Sequence, residues 1–292
     1  MTRLEEVEMS AGDAALLGPA VAKLERLLDA SDSFVSDAAE TAVPGSPMDH
    51  ARTTGVRDAY DSANALIFSA EDHLRAVVII VKHGPLPGFA LYTLLRAAAD
   101  AAVRAAYLLE LGLTPAQRLG RTLNERLDNL HEQRKFMILD EDDHYGQSVE
   151  GLKTRATAHG VDIRYSKAKA GGLPKLSGFG EPQLSVTQLF ERFLRGGESV
   201  HRYLSGYAHS KMWAQLPRAR AESAPGDPDV AVIPTDLNVK TFVAVLSAVT
   251  ELYDDDLAKY MTLAGYPVDV WRLAKQRPMK KRQNEIPNAG AP

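Results

Sequence analysis

Apolar residues recur along this chain at intervals of three and four, the repeat of an α-helix rather than of a strand. In residues 17–30 the stripe runs through Val21, Leu24, Leu27 and Leu28. Residues 31–54 break the pattern with Ser, Thr, Pro and Gly and read as a loop. From Val56 to His83 the period returns, with Ala59, Ala63, Leu66, Ile67 and Ala70 on one side. The end of that segment, AVVIIV, is apolar all round, which predicts burial on every face. Gly84-Pro85-Leu86-Pro87-Gly88 then stops the helix.

The next segment, Phe89 to Leu111, is rich in alanine. Small side chains let neighbours approach, so this helix is expected at the middle of a bundle, ending at Gly112. Thr114-Pro115-Ala116-Gln117 has the form of a capping box with Pro at the first helical position. Its helix is expected to reach Leu139, followed by the acidic break DEDDH at 140–144 and a weaker helix over 145–158. Residues 160–184 are glycine-rich and basic and read as a loop, the best candidate for a seam. Ser185-Val186-Thr187-Gln188 opens another helix, interrupted at Gly196-Gly197 and running on through Trp213. After a loop at 217–234, helices are expected from Asn238 to Leu263 and from Pro267 to Lys275. No alternating strand pattern and no internal repeat is visible. The expected fold is an all-α bundle of about seven to nine helices. It forms one domain over residues 1–276, and 277–292 are expected to be a disordered basic tail.

Composition narrows the function classes. Hydrophobic residues make up 45% of the 292, enough to bury a core. The net charge of −4 and pI near 6.1 argue against a dedicated duplex-DNA binder, which is usually basic. Zero cysteines exclude disulfides, a thiol nucleophile and thiolate metal sites, and suit a reducing, cytoplasmic setting. The acidic start MTRLEEVEMSAGD has no apolar core and does not read as a signal peptide. Charges interrupt every apolar stretch before the ~18–20 residues a membrane helix needs, so no membrane partner is expected.

The most chemically suggestive segment is ESVHRYLSGYAHSKMW, residues 198–213. At about 100° per residue, positions seven apart share a face. This sets Arg202 and His209 together, with Glu198 and Ser205 beside them, as one polar stripe opposite Val200, Tyr203, Leu204 and Tyr207. An ordinary amphipathic helix also has a polar face. Two features resist that reading: Trp213 falls on the polar side, and Gly206 sits mid-helix at a cost of roughly 1 kcal/mol relative to Ala. A packed neighbour is expected there. Histidine can give or take a proton near neutrality, and arginine forks onto phosphate oxygens. On one face the two can bind a phosphodiester and move a proton beside it. The RNA 2′-hydroxyl supplies a nucleophile, so no metal or other cofactor is required.

An Arg, six residues and a His on a helix of an all-α bundle resembles the signature of HEPN-type domains. That resemblance implies metal-independent RNA cleavage at a site assembled in a homodimer or other homo-oligomer, in a defence or stress system. His209 would be the general acid/base, Arg202 the stabiliser of the phosphorane and Ser205 a hydrogen-bonding assistant. Glu198 and Tyr207 would contact substrate. The residue after the Arg, often polar in that family, is Tyr203 here. A second resemblance joins LRAAADAAVRAAYLLE (95–110) and LSGYAHSK (204–211) to a group of actinobacterial helical proteins, and it bears on fold more than activity.

Arg96, Asp100 and Arg104 follow at intervals of four on the alanine-rich helix. They are either surface ion pairs or the wall of a polar pocket, in which Arg96 would hold an anion and Asp100 would orient His209. A rival constellation uses Glu198–His201 and Glu141–His144 with Glu71 and Glu110 as a di-metal bundle site. His73 and His83 read as core-edge histidines, and Arg164, Lys167, Lys169, Lys175 and the basic tail as solvated charges. The reading that leads is a HEPN-like protein acting on or binding RNA. A non-catalytic helical interaction or ligand-binding protein is the alternative, and a bundle-core di-metal enzyme the third.

Overall fold

The computed structural model describes residues 10–40, 42–84, 86–136, 142–167, 174–211, 214, 222–224, 227–232 and 237–276. Helical periodicity dominates them. In chain order the helices are α1 (Ala11–Glu40), α2 (Pro47–Thr54), α3 (Arg57–His83), α4 (Ala90–Leu109) and α5 (Pro115–Phe136), then α6 (Asp142–Ala158), α7 (Val186–Phe193), α8 (Gly197–Ala208), α9 (Val239–Leu263) and α10 (Val268–Ala274). Both capping boxes form. Thr114 Oγ1 accepts from Gln117 N while Gln117 Oε1 accepts from Thr114 N, and Ser185 and Gln188 do the same for α7.

Alanine sets the centre. Ala98, Ala99, Ala102, Ala105 and Ala106 of α4 are buried, and α3, α5, α7, α8 and α9 all rest on this helix. Burying apolar surface stabilises by roughly 25 cal/mol per Å², and a helix surrounded on most sides exposes little of its surface to water. Of the described helices, none is long and apolar enough to cross a membrane.

Three expectations need correction. The segment 31–54 is not a single loop: α1 continues to Glu40, and Pro47–Thr54 forms α2, capped by Ser46. Serine does not end α1 because Ser31 is buried in a polar knot. Its Oγ donates to Glu71 Oε2 at 2.9 Å, Tyr253 Oη donates to the same oxygen at 2.7 Å, and Arg75 clasps Glu71 Oε1 at 2.6 and 2.9 Å. This ties α1, α3 and α9 together.

Residues 160–184 hold strands, which the sequence pattern does not announce. β1 (Ile163–Tyr165), β2 (Leu176–Phe179) and β3 (Glu181–Pro182) form an antiparallel sheet in that order. Strands of two to four residues are too short to show an alternating pattern. Their anchor is Asn124 of α5, buried and used at both ends. Its Oδ1 accepts from Phe179 N at 2.7 Å, and its Nδ2 donates to the Phe179 and Glu181 carbonyls at 3.2 Å. Gly120 lets the helix approach, since a Cβ there would meet the Phe179 carbonyl oxygen at 3.0 Å. The third correction concerns 217–234, where β4 (Glu222–Ala224) pairs antiparallel with β5 (Asp227–Val232).

Asp256 on α9 is fully buried, and neither carboxylate oxygen has a hydrogen-bond partner. Burial pushes its pKa well above the usual carboxylate range. A carboxyl raised in this way costs nothing at low pH, where folded and unfolded chains are both protonated. Stability falls as the pH rises above about 4, where the unfolded chain's carboxyl ionises first. Asp256→Asn is therefore expected to exceed the native chain in stability at pH 7 by on the order of 1–3 kcal/mol, with the gap closing toward pH 4. Urea denaturation at both pH values measures it, and a gap independent of pH would contradict a neutral buried Asp256.

Candidate functional site

Helix α4 is apolar except for one edge, where Arg96, Asp100 and Arg104 succeed each other at single-turn spacing. A charge on a buried helix needs a partner, and each finds one nearby. Arg96 Nε donates to Ser205 Oγ of α8 at 3.1 Å, and its Nη2 donates to His201 Nε2 at 3.1 Å. The guanidinium also lies over the Phe190 ring of α7, 4.9 Å from its centroid. Arg96 Nη1 and Asp100 Oδ1 are in ion-pair contact, buried, and out of hydrogen-bonding geometry. Arg104 Nη1 bonds Glu125 at 2.6 Å and Asp128 at 3.0 Å on α5, and Gln183 Nε2 donates to Asp128 at 2.9 Å.

Two titrations are shifted within this seam. Burial pushes the Glu125 carboxyl up; Arg104 opposes it, while Asp128 and Asp100 reinforce it. Burial also pushes the His201 imidazole down, and the Arg96 guanidinium adds to that shift. His201 is thus neutral at pH 7. Because Arg96 donates to Nε2, the ring proton resides on Nδ1, 3.5 Å from Thr187 Oγ1. Both nitrogens are engaged, so His201 orients Arg96 rather than offering itself to a substrate.

Helix α8 begins where the sequence placed its break. Gly196 and Gly197 have φ of 86° and 40°, and a Cβ on Gly197 would meet Glu191 Cα at 3.0 Å. The four-residue stripe does not hold together. Glu198 and Arg202 pair with each other in solvent, the Arg202 side chain being 72% exposed. Ser205 turns inward to Arg96. His209 is not on the helix: it is the C-cap, exposed, with φ −103°. Trp213, the expected end of this helix, lies outside the described residues. Gly206 is buried, as a close neighbour requires.

The reason α8 ends early is local. Ser210 N donates to the Tyr207 carbonyl at 3.1 Å and Lys211 N to the Gly206 carbonyl at 2.8 Å, the two bonds of a Schellman turn. Its left-handed position holds Ser210 (φ 50°), the one positive-φ residue other than glycine among the described residues.

Tyr207 is a packing residue rather than an open substrate contact. Its ring stacks on Tyr92 at 4.3 Å and 19°, and Phe89 and Tyr203 complete the cluster. Of the predicted site residues, the structure therefore joins Arg96, Asp100 and Ser205, leaves Glu198 and Arg202 paired on α8 and His209 exposed at its C-cap, and sets the half-buried Tyr207 in an aromatic cluster. Asp100 is joined to Arg96 and does not orient His209 through any hydrogen bond.

The di-metal constellation does not assemble. Glu71 is held by Arg75, Ser31 and Tyr253, and Glu110 by Arg121 and Arg192. His201 faces Arg96, His144 is exposed, and Glu141 is outside the described residues. Among the described residues no group of three or more His, Asp or Glu side chains is placed to hold a metal ion. Arg164 donates to the Gly180 carbonyl at 3.0 Å, and Lys275 pairs with Asp254 at 2.7 Å. Lys169, Arg277, Lys280, Lys281 and Arg282 are outside the described residues. Comparison with family models, with curated proteins and with solved structures gives no match.

Two outcomes follow. Arg96→Met is expected to raise the His201 pKa toward 6.5, because it removes a cation and frees the Asp100 carboxylate. An unchanged imidazole titration by NMR would separate His201 from this cluster. Ser210→Gly is expected to stabilise the fold by about 1 kcal/mol by relieving the left-handed backbone, and Ser210→Ala is expected not to. Thermal denaturation of both variants measures the difference.

Proposed function

We propose that this is a HEPN-like helical protein whose α8 end binds RNA and cleaves it without a metal. The observation that carries the reading is the placement of Arg202 and His209. Both are exposed, Arg202 on α8 and His209 at its C-cap, and Arg96 fastens that helix to the centre of the bundle. The two resembling segments, 95–110 and 204–211, also meet directly through the Arg96–Ser205 bond.

In the proposed step His209 takes the proton of a ribose 2′-hydroxyl. The freed oxygen attacks the adjacent phosphorus, the bond to the 5′-oxygen breaks, and that oxygen takes a proton from water while His209 returns its own proton to solvent. The products are a 2′,3′-cyclic phosphate and a 5′-hydroxyl. Arg202 would exchange Glu198 for the phosphorane oxygens, where a guanidinium gains most as charge develops. Ser205 acts by positioning, since its hydroxyl is already engaged by Arg96. A homodimer pairing two α8 ends would assemble two such faces into one channel.

The Glu198–Arg202 ion pair favours a second reading, a non-catalytic binding protein, because an arginine already neutralised has less to offer a phosphate. Single-stranded RNA incubated with the protein in EDTA separates the two. Cleavage leaving 2′,3′-cyclic ends, reduced about 10²–10⁴-fold in His209→Ala, supports the ribonuclease. Retarded but intact RNA supports the binding protein. Neither cleavage nor retardation rejects RNA as the partner.

A further inference from the structure

Helices α5 and α6 lie side by side, yet the seam between them is not filled. α5 turns Arg126, Asn129, Leu130 and Gln133 toward α6, positions i, i+3, i+4 and i+7. The facing stripe of α6 has the same spacing and holds Ser148, Gly151 and Leu152. Between two packed helices such stripes are apolar and interlock. Here only the two leucines are large and apolar, and a groove of about 410 Å³, open to solvent, remains.

We propose that this groove is a binding site for a nucleoside monophosphate. The charge of its lining is the first argument. Among the described residues no carboxylate lines it, while Arg126 does, and so does Arg155 at its α6 end. These two arginines share one acid, Asp58, at 2.7 Å from Arg126 and at 2.5 and 2.6 Å from Arg155. Arg155 is further committed to the Gly55 carbonyl at 2.6 Å. One positive charge is left over, and Arg126, with a side chain 42% exposed, carries it toward the groove.

The shape of the lining is the second argument. Leu130 and Leu152 give a floor on which a flat ring can lie. Gly151 keeps that floor open: a Cβ built there meets no atom within 4 Å, so no packing contact requires a glycine. A glycine inside a helix costs about 1 kcal/mol relative to alanine, and here that cost is not offset by close approach. The amides of Asn129 and Gln133 stand one turn apart on the same wall and present donors and acceptors together, as the edge of a nucleobase does. An anionic head for Arg126, a flat body for the leucines and a mixed polar edge for the amides are the three parts of a nucleotide.

Calorimetric titration of the full chain with AMP, GMP and UMP tests this, beside inorganic phosphate and benzoate. At least one nucleotide is expected to bind more tightly than phosphate or benzoate. Arg126→Ala is expected to weaken it at least about tenfold through loss of a charge-assisted contact. Gly151→Leu, which fills the groove from a position of open space and improves helix propensity, is expected to abolish it with the circular dichroism unchanged. His209→Ala should bind as the native chain does, which keeps this test apart from that of RNA cleavage. Absence of binding by all three nucleotides, binding no tighter than phosphate, or equal binding by Gly151→Leu would each overturn the proposal.

Discussion

The polar edge of α4 is the constraint from which the rest of the bundle takes its arrangement. A helix covered on nearly every side can carry Arg96, Asp100 and Arg104 only if each of them is answered. The two arginines are answered from different elements: His201 and Ser205 from α8, Phe190 from α7, Glu125 and Asp128 from α5. Moving α5 by one turn would leave Arg104 buried without a counter-charge, and moving α8 would strip Arg96 of two hydrogen bonds. Alanines decide how closely the helices approach, and the charged edge decides their register and order.

The same device recurs at the other joints. Arg121, almost wholly buried, bridges the Tyr107 carbonyl, Glu110 and Glu181 and so fixes α5 to the end of α4 and to β3. Burial and the Glu181 carboxylate together drive the Tyr107 hydroxyl above its ordinary range, which keeps it a donor to Glu181 at 2.7 Å. Glu71 does for α1, α3 and α9 what Arg121 does for α4 and α5. Each joint has one charge at its centre and several hydrogen bonds around it, an arrangement that costs desolvation and confers uniqueness of packing.

The helices are legible in the sequence because their apolar residues repeat over many turns. Their ends are legible where capping residues mark them, as at Thr114 and Ser185. The strands over 163–182 are not, because they depend on one distant side chain, Asn124, that no local pattern announces. Ser31 misleads for a related reason: a serine that ends a helix and one that is buried in a polar knot look alike along the chain. At the candidate site, the spacing of Arg96, Asp100 and Arg104 leaves a surface ion pair and a polar pocket equally open, and the partners on α5 and α8 that distinguish them are remote in sequence. Counting angles along 198–213 assumes a helix that runs on through Trp213, whereas α8 stops at Ala208 and the turn at Ser210 leaves His209 as its C-cap. His201 is visible in the sequence as half of a metal-binding spacing; its actual partner, Arg96, lies more than a hundred positions away.

Positive-φ backbone bounds α8 at both ends, at its N-cap Gly196 and first residue Gly197 and at Ser210 after it. Only a three-residue turn, Gly197 N to the Leu194 carbonyl at 2.9 Å, links it to the end of α7. A helix of 12 residues is marginal alone, so α8 persists by what it touches on α4 and α7. Its stability therefore rests on those contacts, and the exchange of its amides with solvent reports how tightly Arg96 and its neighbours hold it.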